Sequence, residues 1–405
     1  MTFRIALSGL NAAQTDLNVT ANNIANTSTT GFKGSRTEFA DLFAVSLQGV
    51  SNNATGAGVK VAAVTQQFAQ GNIEFTDSNL DLALSGQGMF ILSDGGALSY
   101  TRAGAFQMNR DGYVVNSLGQ RLQVYPALAG GGFNSGGLGD LRLQTTDSAP
   151  QATGNVKYTL NLPANATQPP VAVFDPADPN SYNQATSLTL FDSLGATHTG
   201  TMYFTKTANP NEWTTQLAID GAMVGGAQTL QYSNTGLLTA PVGGQIAFPA
   251  YTPTTGAANM QVTVDLSQST QFGNNFSVNS VTQDGYTTGR LIGIDIDETG
   301  IVNARFTNGN STPLGQIAVA NFANPQGLQQ LGNTQWAETF ASGQALRGQA
   351  GNSGFGLVQS GALESANVDV TEQLVNMITA QRNFQANAQM ISTADQITQT
   401  IINMR

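Results

Sequence analysis

Apolar side chains recur at helical spacing at both ends of this chain, while everything between the ends alternates as β-strands do. Near the start, Phe3, Leu7, Leu10, Leu17 and Ile24 fall on the three-, four- and seven-residue steps of one helix face. Near the finish, Val370, Leu374, Met377, Ile378, Phe384, Ala388 and Ile391 do the same. A lone amphipathic helix is marginal in water, because nucleation is costly and its apolar face has no cover. Two helices at opposite ends of one polypeptide cover each other only if the chain returns to its origin, and that closure is the strongest constraint on the fold. The bland competitor is a monomer whose end helices pack on its own β-core.

The opening helix is predicted from Phe3 to about Asn26, with Ala6, Ala13 and Ala21 small enough to admit a close partner, and it stops at N-T-S-T-T-G before Gly31. The closing helix is predicted to begin at Asp369, whose carboxylate caps the amide of Glu372 while Glu372 reaches back, and to run to Met404. At the usual rise per residue that is roughly 50 Å. Both ends are expected to be disordered in a free subunit.

Between the helices the period changes to two. I-L-S-D-G-G-A-L-S-Y, F-Q-M-N-R-D-G-Y-V-V-N and R-L-Q-V-Y read as short strands separated by turns. One turn design repeats at Asn109 to Gly112, Asn116 to Gly119, Asp192 to Gly195, Ser233 to Gly236 and Asp297 to Gly300. A small polar side chain opens it by bonding the backbone two residues on, and glycine closes it in the left-handed conformation. The residues after Gly31 read as a mixed segment, 31–70, with a short helix expected at Thr37 to Phe43. A glycine-rich stretch at 129–140 and a proline-rich one at Leu162 to Pro179 mark a boundary region, followed by a β-patterned block ending near Gln283 that reads as an insertion. A second glycine-rich link is expected from Gly343 to Gly361. The fold class is therefore mainly β with terminal α-helices, in several domains, ordered helix, β, inserted β, β, helix.

At 405 residues the chain is too long for one core, and two to four folded units are expected. Charged residues make up 10%, far below the roughly 25% of an ordinary soluble domain. The surface is thus mostly neutral amides and hydroxyls, which repel little when copies of one chain pack together. The net charge is −10 and the only lysines are Lys33, Lys60, Lys157 and Lys206, so the clustered cations of a nucleic-acid footprint are absent. There is no cysteine, hence no disulfide or thiolate chemistry. The first sixteen residues are amphipathic and lack the apolar core of a secretory signal, and no apolar run is long enough to cross a membrane as a helix.

Catalytic patterns are missing too. His198 is the only histidine and lies in an alternating strand, where a structural role is expected. D-I-D-E-T-G at Asp295 to Gly300 resembles half of a calcium loop, yet Phe306 stands where a bidentate glutamate belongs. Neither Gly86 to Gly88 nor Gly31 to Ser35 has the spacing of a phosphate cradle. No catalytic residue, cofactor site or metal site is expected.

The run S-G-L-N-A-A-Q-T-D-L-N-V-T-A-N-N-I-A-N-T-S-T-T-G-F-K, Ser8 to Lys33, closely resembles the rod and hook family of bacterial flagellar axial proteins. Its most specific positions are Asn22, Asn23, Asn26, Gly31, Phe32 and Lys33. The closing run Asn367 to Gln389 and the inner runs F-T-D-S-N-L-D-L-A-L-S-G-Q-G-M-F and L-G-Q-I-A-V-A-N-F-A-N-P-Q-G-L are similar to the same family, with the central block least alike. Rod members are much shorter, so length and the inserted block place the resemblance with the hook. The resemblance implies a helical homopolymer in which 1–30 and 362–405 form a coiled-coil-like inner tube. Around it would lie a connecting segment (31–70), a β-rich middle domain (71–145 and 284–361) and an inserted outer β-domain (146–283). Phe3, Leu7, Leu10, Leu17, Ile24, Leu374, Met377, Ile378, Phe384 and Ile391 would then pack the inner tube. The implied partners are other copies of the chain, the distal rod protein, the hook cap protein, the hook–filament junction protein and the flagellar type III export apparatus, with no nucleic acid and no membrane insertion. The competing readings are a distal-rod paralogue and a secreted monomeric β-rich adhesin or enzyme.

Overall fold

A computed structural model describes residues 2–42, 56–128, 131–143 and 147–403. The chain forms two compact units, one made of Met1–Gln144, Ile294–Ala304 and Thr312–Arg405, the other of Thr145–Gly293 and Arg305–Ser311. It is mainly β with one long helix at each end.

In the first unit the ends do meet. Helix α1, Thr2–Ala25, runs antiparallel to helix α2, Val370–Asn403: Gly9 lies against Asn387, and the Asn23 side-chain amide donates to Gln373 Oε1 at 3.1 Å. Asp369 caps α2 as its spacing predicts, its Oδ1 accepting the amides of Thr371 at 2.7 Å and Glu372 at 3.2 Å. The return bond expected from Glu372 is not formed among the described residues. Both helices are formed among the described residues, and each has the other to lie on. The lone-helix argument applies only to an end without that cover.

The helices meet on a different face from the one the stripe marks. The buried residues of α1 are Ala6, Ala12, Ala13, Thr20 and Asn23. They are small, so α2 and the strands beside α1 approach its backbone closely, and at Gly9 an added Cβ would fall 2.5 Å from Asn387 Oδ1. Ala6 and Ala13 take the close-contact role expected of them, whereas Ala21 faces solvent. On α2 the covered side holds Ala380, with Met377, Phe384, Ala388 and Ile391 half-buried.

Beside α1 lies a correction. Ser35–Leu42 is a strand, not the helix expected at Thr37 to Phe43, and it pairs antiparallel with Gly58–Gln66; Phe43 lies outside the described residues. S-R-T-E-F-A-D-L carries too few apolar residues to fix a period, and pairing with a β-branched partner strand decides the outcome. The main sheet of this unit orders its strands as Leu291–Ile296, Ile301–Phe306, Ser311–Asn321, Arg121–Pro126, Met89–Asp94, Ala97–Thr101, Gln335–Ala337 and Gln329–Gly332. Its core gathers Phe90, Leu92, Leu122, Ile317 and Val319 on one side and Ile91, Tyr100, Ala318 and Trp336 on the other. The glycine-rich stretch Gly343 to Gly361 is no loose link. It contains the paired strands Leu346–Gln349 and Leu357–Ser360. Its glycines make room: Gly348 lies under the Phe355 ring and Gly356 against the Ser85 backbone.

The second unit has two five-stranded sheets. One is a meander through Gln184–Phe191, Thr197–Lys206, Glu212–Ile219, Ala222–Tyr232 and Leu238–Ala240; the other is built on Asn155–Pro163. They close over a shared core with Tyr158, Leu160, Phe204, Trp213, Leu217 and Val264. The proline-rich stretch starts inside this core, since Leu162 is fully buried.

All five repeats of the turn design adopt one geometry. Glycines 112, 119, 195, 236 and 300 have φ between 78° and 83°. In each turn the first side chain accepts backbone amides two and four residues on, as Asn116 Oδ1 does from Leu118 and Gln120 at 3.1 and 3.0 Å. The same pair of bonds recurs at Asn109, Asp192, Ser233 and Asp297.

Candidate assembly surface

The large apolar stripe of α1 is left outside the packed face. Phe3 is 51% and Leu7 41% exposed, with Leu10, Leu17 and Ile24 half-covered. At 3.6 residues per turn the stripe is centred roughly 100° around the helix from Ala6, Ala13 and Thr20 and their neighbours. On α2, Met377, Phe384 and Ile391 lean toward α1, whereas Leu374 and Ile378 stand 46% and 50% exposed, joined by Val375, Met390 and Ile397. The ten stripe residues thus divide: Met377, Phe384 and Ile391 are half-buried on the side of α2 that holds Ala380, and the rest line flanks that this chain does not fully cover. Apolar side chains arranged as ridges along a helix pair mark an interaction surface.

The motif that follows α1 builds the root of both helices. Asn23 is 3% exposed; its side chain accepts the Ser35 amide at 2.9 Å and donates to the Ser35 carbonyl at 2.7 Å, pinning the strand to the helix. Asn22 and Asn26 bond each other across the last helical turn. Gly31 has φ +67°, donates to the Glu364 carbonyl at 2.7 Å, and presses on the Ala103 backbone so closely that no Cβ fits. The Phe32 carbonyl accepts from Asn367, whose side chain in turn accepts the Gly34 amide at 2.7 Å and donates to Gln67 and Ala69.

Lys33 is the centre of a buried ionic cluster. Its Nζ donates to Glu364 Oε1 at 2.6 Å and to the Ala69 carbonyl at 2.7 Å. The other oxygen of Glu364 accepts from Arg102 at 3.0 Å, and Arg102 also donates to the carbonyls of Leu84 and Gly86. The Gly71 amide completes the set on Glu364 Oε1 at 2.8 Å. Burial pushes the Lys33 ammonium below its usual range, and the adjacent Glu364 carboxylate partly offsets this. Two cations share one carboxylate, and main-chain carbonyls take up the surplus donors. Four chain segments are thereby tied at one point. Lys33 was legible as a motif residue and Asn367 as the first residue of the closing run; Glu364 and Arg102 were not.

In the second unit His198 has the structural role expected of it. Its ring lies between Asp220, 2.6 Å from Nδ1, and Asp192, 3.3 Å from Nε2. Among the described residues no group of three or more His, Cys, Asp or Glu is arranged to hold a metal, and no helix is long and apolar enough to cross a membrane.

Four family models match the chain in order. These are the flagella basal body rod protein over residues 3–33, the flagellar hook protein FlgE/F/G D1 domain over 83–172, the flagellar basal body protein FlaE D2 domain over 161–286, and the flagellar basal body rod FlgEFG protein C-terminal over 359–404. Full-length relatives decide the matter. The flagellar hook protein FlgE of Escherichia coli K12 is 39% identical over 414 residues, covering 100% of both chains. That of Borreliella burgdorferi is 34% identical over 436 residues, covering 98% of each. The chain belongs to the flagellar hook protein FlgE family. The crystal structure of Helicobacter pylori flagellar hook protein FlgE2 shares its fold, with a TM-score of 0.55 at 14% identity over 72% of this chain and 100% of that one. The hook protein family is structural, and this member is a hook subunit, not an enzyme. Membership implies self-polymerisation in the flagellar hook.

Proposed function

We propose that the uncovered stripes are the inner-tube contacts of the hook polymer. Phe3, Leu7, Leu10, Leu17 and Ile24 of one copy would lie against helices of neighbouring copies, as would Leu374 and Ile378, while Met377, Phe384 and Ile391 hold α1 and α2 together. The observation that carries this is the division on α1, where small residues face its own partner helix and large ones face outward. Each Å² of apolar surface so covered is worth roughly 25 cal/mol. These contacts would carry torque. The mainly neutral outer surfaces would shift past one another between nearly equal registers, so the polymer bends easily while resisting twist. Electron microscopy of bent hooks that found identical outer contacts around the circumference would contradict that division of labour.

In this reading residues 1–30 and 362–405 form the tube, 71–145 and 284–361 the middle layer, 146–283 the outer layer, and 31–70 connects them. The subunit leaves the cell unfolded through the channel by the flagellar type III export apparatus. It polymerises outside beneath the hook cap protein, between the distal rod protein and the hook–filament junction protein. Leu10→Asp tests the stripe: the charge lands on a half-exposed position, so the subunit folds, but a neighbour that buries it does not tolerate it. Normal hooks from Leu10→Asp would refute the assignment.

A further inference from the structure

The one histidine of the chain ties together two turns and a surface loop of the second unit. His198 lies on Thr197–Lys206, Asp192 on the turn before that strand, and Asp220 on the turn between Glu212–Ile219 and Ala222–Tyr232. The histidine is 5% exposed, and its two nitrogens face the Oδ2 atoms of the two carboxylates, Nδ1 that of Asp220 and Nε2 that of Asp192. The other oxygen of each carboxylate is taken by main-chain amides, those of Leu194 and Ala196 for Asp192 and that of Thr199 for Asp220. Both carboxylates are thereby fixed in place, with Oδ2 left for the imidazole.

Those same two oxygens hold the loop. Thr255 Oγ1 donates to Asp192 Oδ2 at 2.7 Å, and the Tyr251 hydroxyl donates to Asp220 Oδ2 at 3.4 Å. Tyr251 and Met260 exchange main-chain bonds, both at 2.8 Å, and close the base of the loop. Between them, among the described residues, 252–259 bond to the rest of the unit only through Thr255 and through the Ala258 amide, which donates to Ser193 Oγ at 2.9 Å. Both ties end on the Asp192 turn. Imidazolium donates from both nitrogens, whereas the neutral ring has one donor and one lone pair. The shorter bond, to Asp220, keeps the remaining proton, so the lone pair falls against Asp192 Oδ2, the oxygen that anchors Thr255.

We propose that His198 is a latch: protonated, it holds the Asp192 turn and through Thr255 the loop 252–259, and deprotonated, it releases that loop while the core beneath stays folded. The titratable groups facing the ring are Asp192, Asp220 and Tyr251, and neither carboxylate pairs with a lysine or arginine among the described residues. Burial raises both carboxyls, yet their hydrogen bonds hold Asp192 at about 2 and Asp220 below its usual range, while burial and the Asp220 charge push the Tyr251 phenol up. Burial favours the neutral ring of His198, but its bonds to Asp220 and Asp192 outweigh that and hold its pKa above 6.5. The latch is therefore closed below about pH 6.5 and opens as pH rises through the folded value.

The test is amide hydrogen exchange of the full-length soluble chain at about pH 6 and about pH 9, with rates corrected for intrinsic base catalysis. The amides of 254–259 are expected to lose protection roughly tenfold between the two, while those of Phe204 and Leu217 in the core keep theirs. In His198→Gln the step is expected to vanish. In Thr255→Val, which leaves the ring and both carboxylates in place, the loop is expected to be open already at about pH 6. A change of less than about twofold in the parent loop overturns the proposal, as does a step that persists in His198→Gln or a Thr255→Val loop as protected at the lower pH as the parent's. A loss shared equally by Phe204 and Leu217 also overturns it, because the whole unit would then be opening.

Discussion

Removing the carboxylate at the root of the helices is the perturbation with the largest consequence the structure allows to be worked out. Glu364 is 0% exposed and accepts from Lys33, Arg102 and the Gly71 amide. In Glu364→Ala, two buried cations keep only main-chain carbonyls, those of Ala69 for Lys33 and of Leu84 and Gly86 for Arg102. Breaking a buried pair from one side costs about 3–5 kcal/mol, since the charge left behind stays desolvated. For a unit of this size each kcal/mol lowers the melting temperature by about 2–4 °C, so the expected drop is roughly 6–20 °C. Scanning calorimetry of the free subunit reads it directly, with the transition of the Thr145–Gly293 unit as an internal control that stays in place. Removing Lys33 as well, in Lys33→Met with Glu364→Leu, deletes both members of the shortest pair and is expected to recover part of the loss. A drop below about 2 °C for Glu364→Ala would refute the view that this cluster holds the four segments together.

Gly31→Ala and Gly119→Ala separate crowding from backbone strain. Both glycines have positive φ, but only Gly31 presses on another backbone, so Gly119→Ala is expected to cost about 1 kcal/mol and Gly31→Ala at least about 2 kcal/mol by urea unfolding. Phe384→Asp is expected to separate α2 from α1 and abolish polymerisation with the β-units still folded, as circular dichroism and negative-stain microscopy would show. The His198 clamp gives the second unit a pH dependence. Burial lowers the imidazolium's affinity for its proton, but the bonds to Asp220 and Asp192 outweigh that and hold the pKa above 6.5. Its contribution is therefore complete below about pH 6.5 and is lost as pH rises through the folded value. Asp192 is the opposite case: burial raises it, yet Thr255, the turn amides and His198 hold it at about 2, so its contribution is present at neutral pH and is lost only in strong acid. The stability gap between parent and His198→Gln should accordingly narrow as pH is raised from 6 to 9, and a constant gap would contradict the clamp.

What the sequence showed depended on how local the cause was. The five turns were legible because a polar side chain, its two backbone donors and a left-handed glycine lie within five residues. The cap on α2 was legible for the same reason. The Lys33–Glu364 pair was not, because its members are 331 positions apart and nothing near Glu364 announces burial. The packed face of α1 was legible only in part, since Ala6 and Ala13 take the close-contact role their size implies while nothing marked Thr20 and Asn23 as buried. Hydrophobicity picks out the widest apolar ridge, but the helix beside it selects the residues that allow close approach, Ala6, Ala13 and Thr20. The strand Ser35–Leu42 shows the remaining limit, since its weak pattern acquires a period only from the strand that pairs with it.

Hydroxyl-radical footprinting of Phe3, Leu7, Leu10 and Leu17, compared between the soluble subunit and the assembled hook, tests most directly whether neighbouring copies cover the α1 stripe. The account predicts that all four are labelled readily in the subunit and become several-fold protected in the polymer, while the already buried α1–α2 contact at Ala380 shows no change. Equal labelling of the stripe in both states would contradict it.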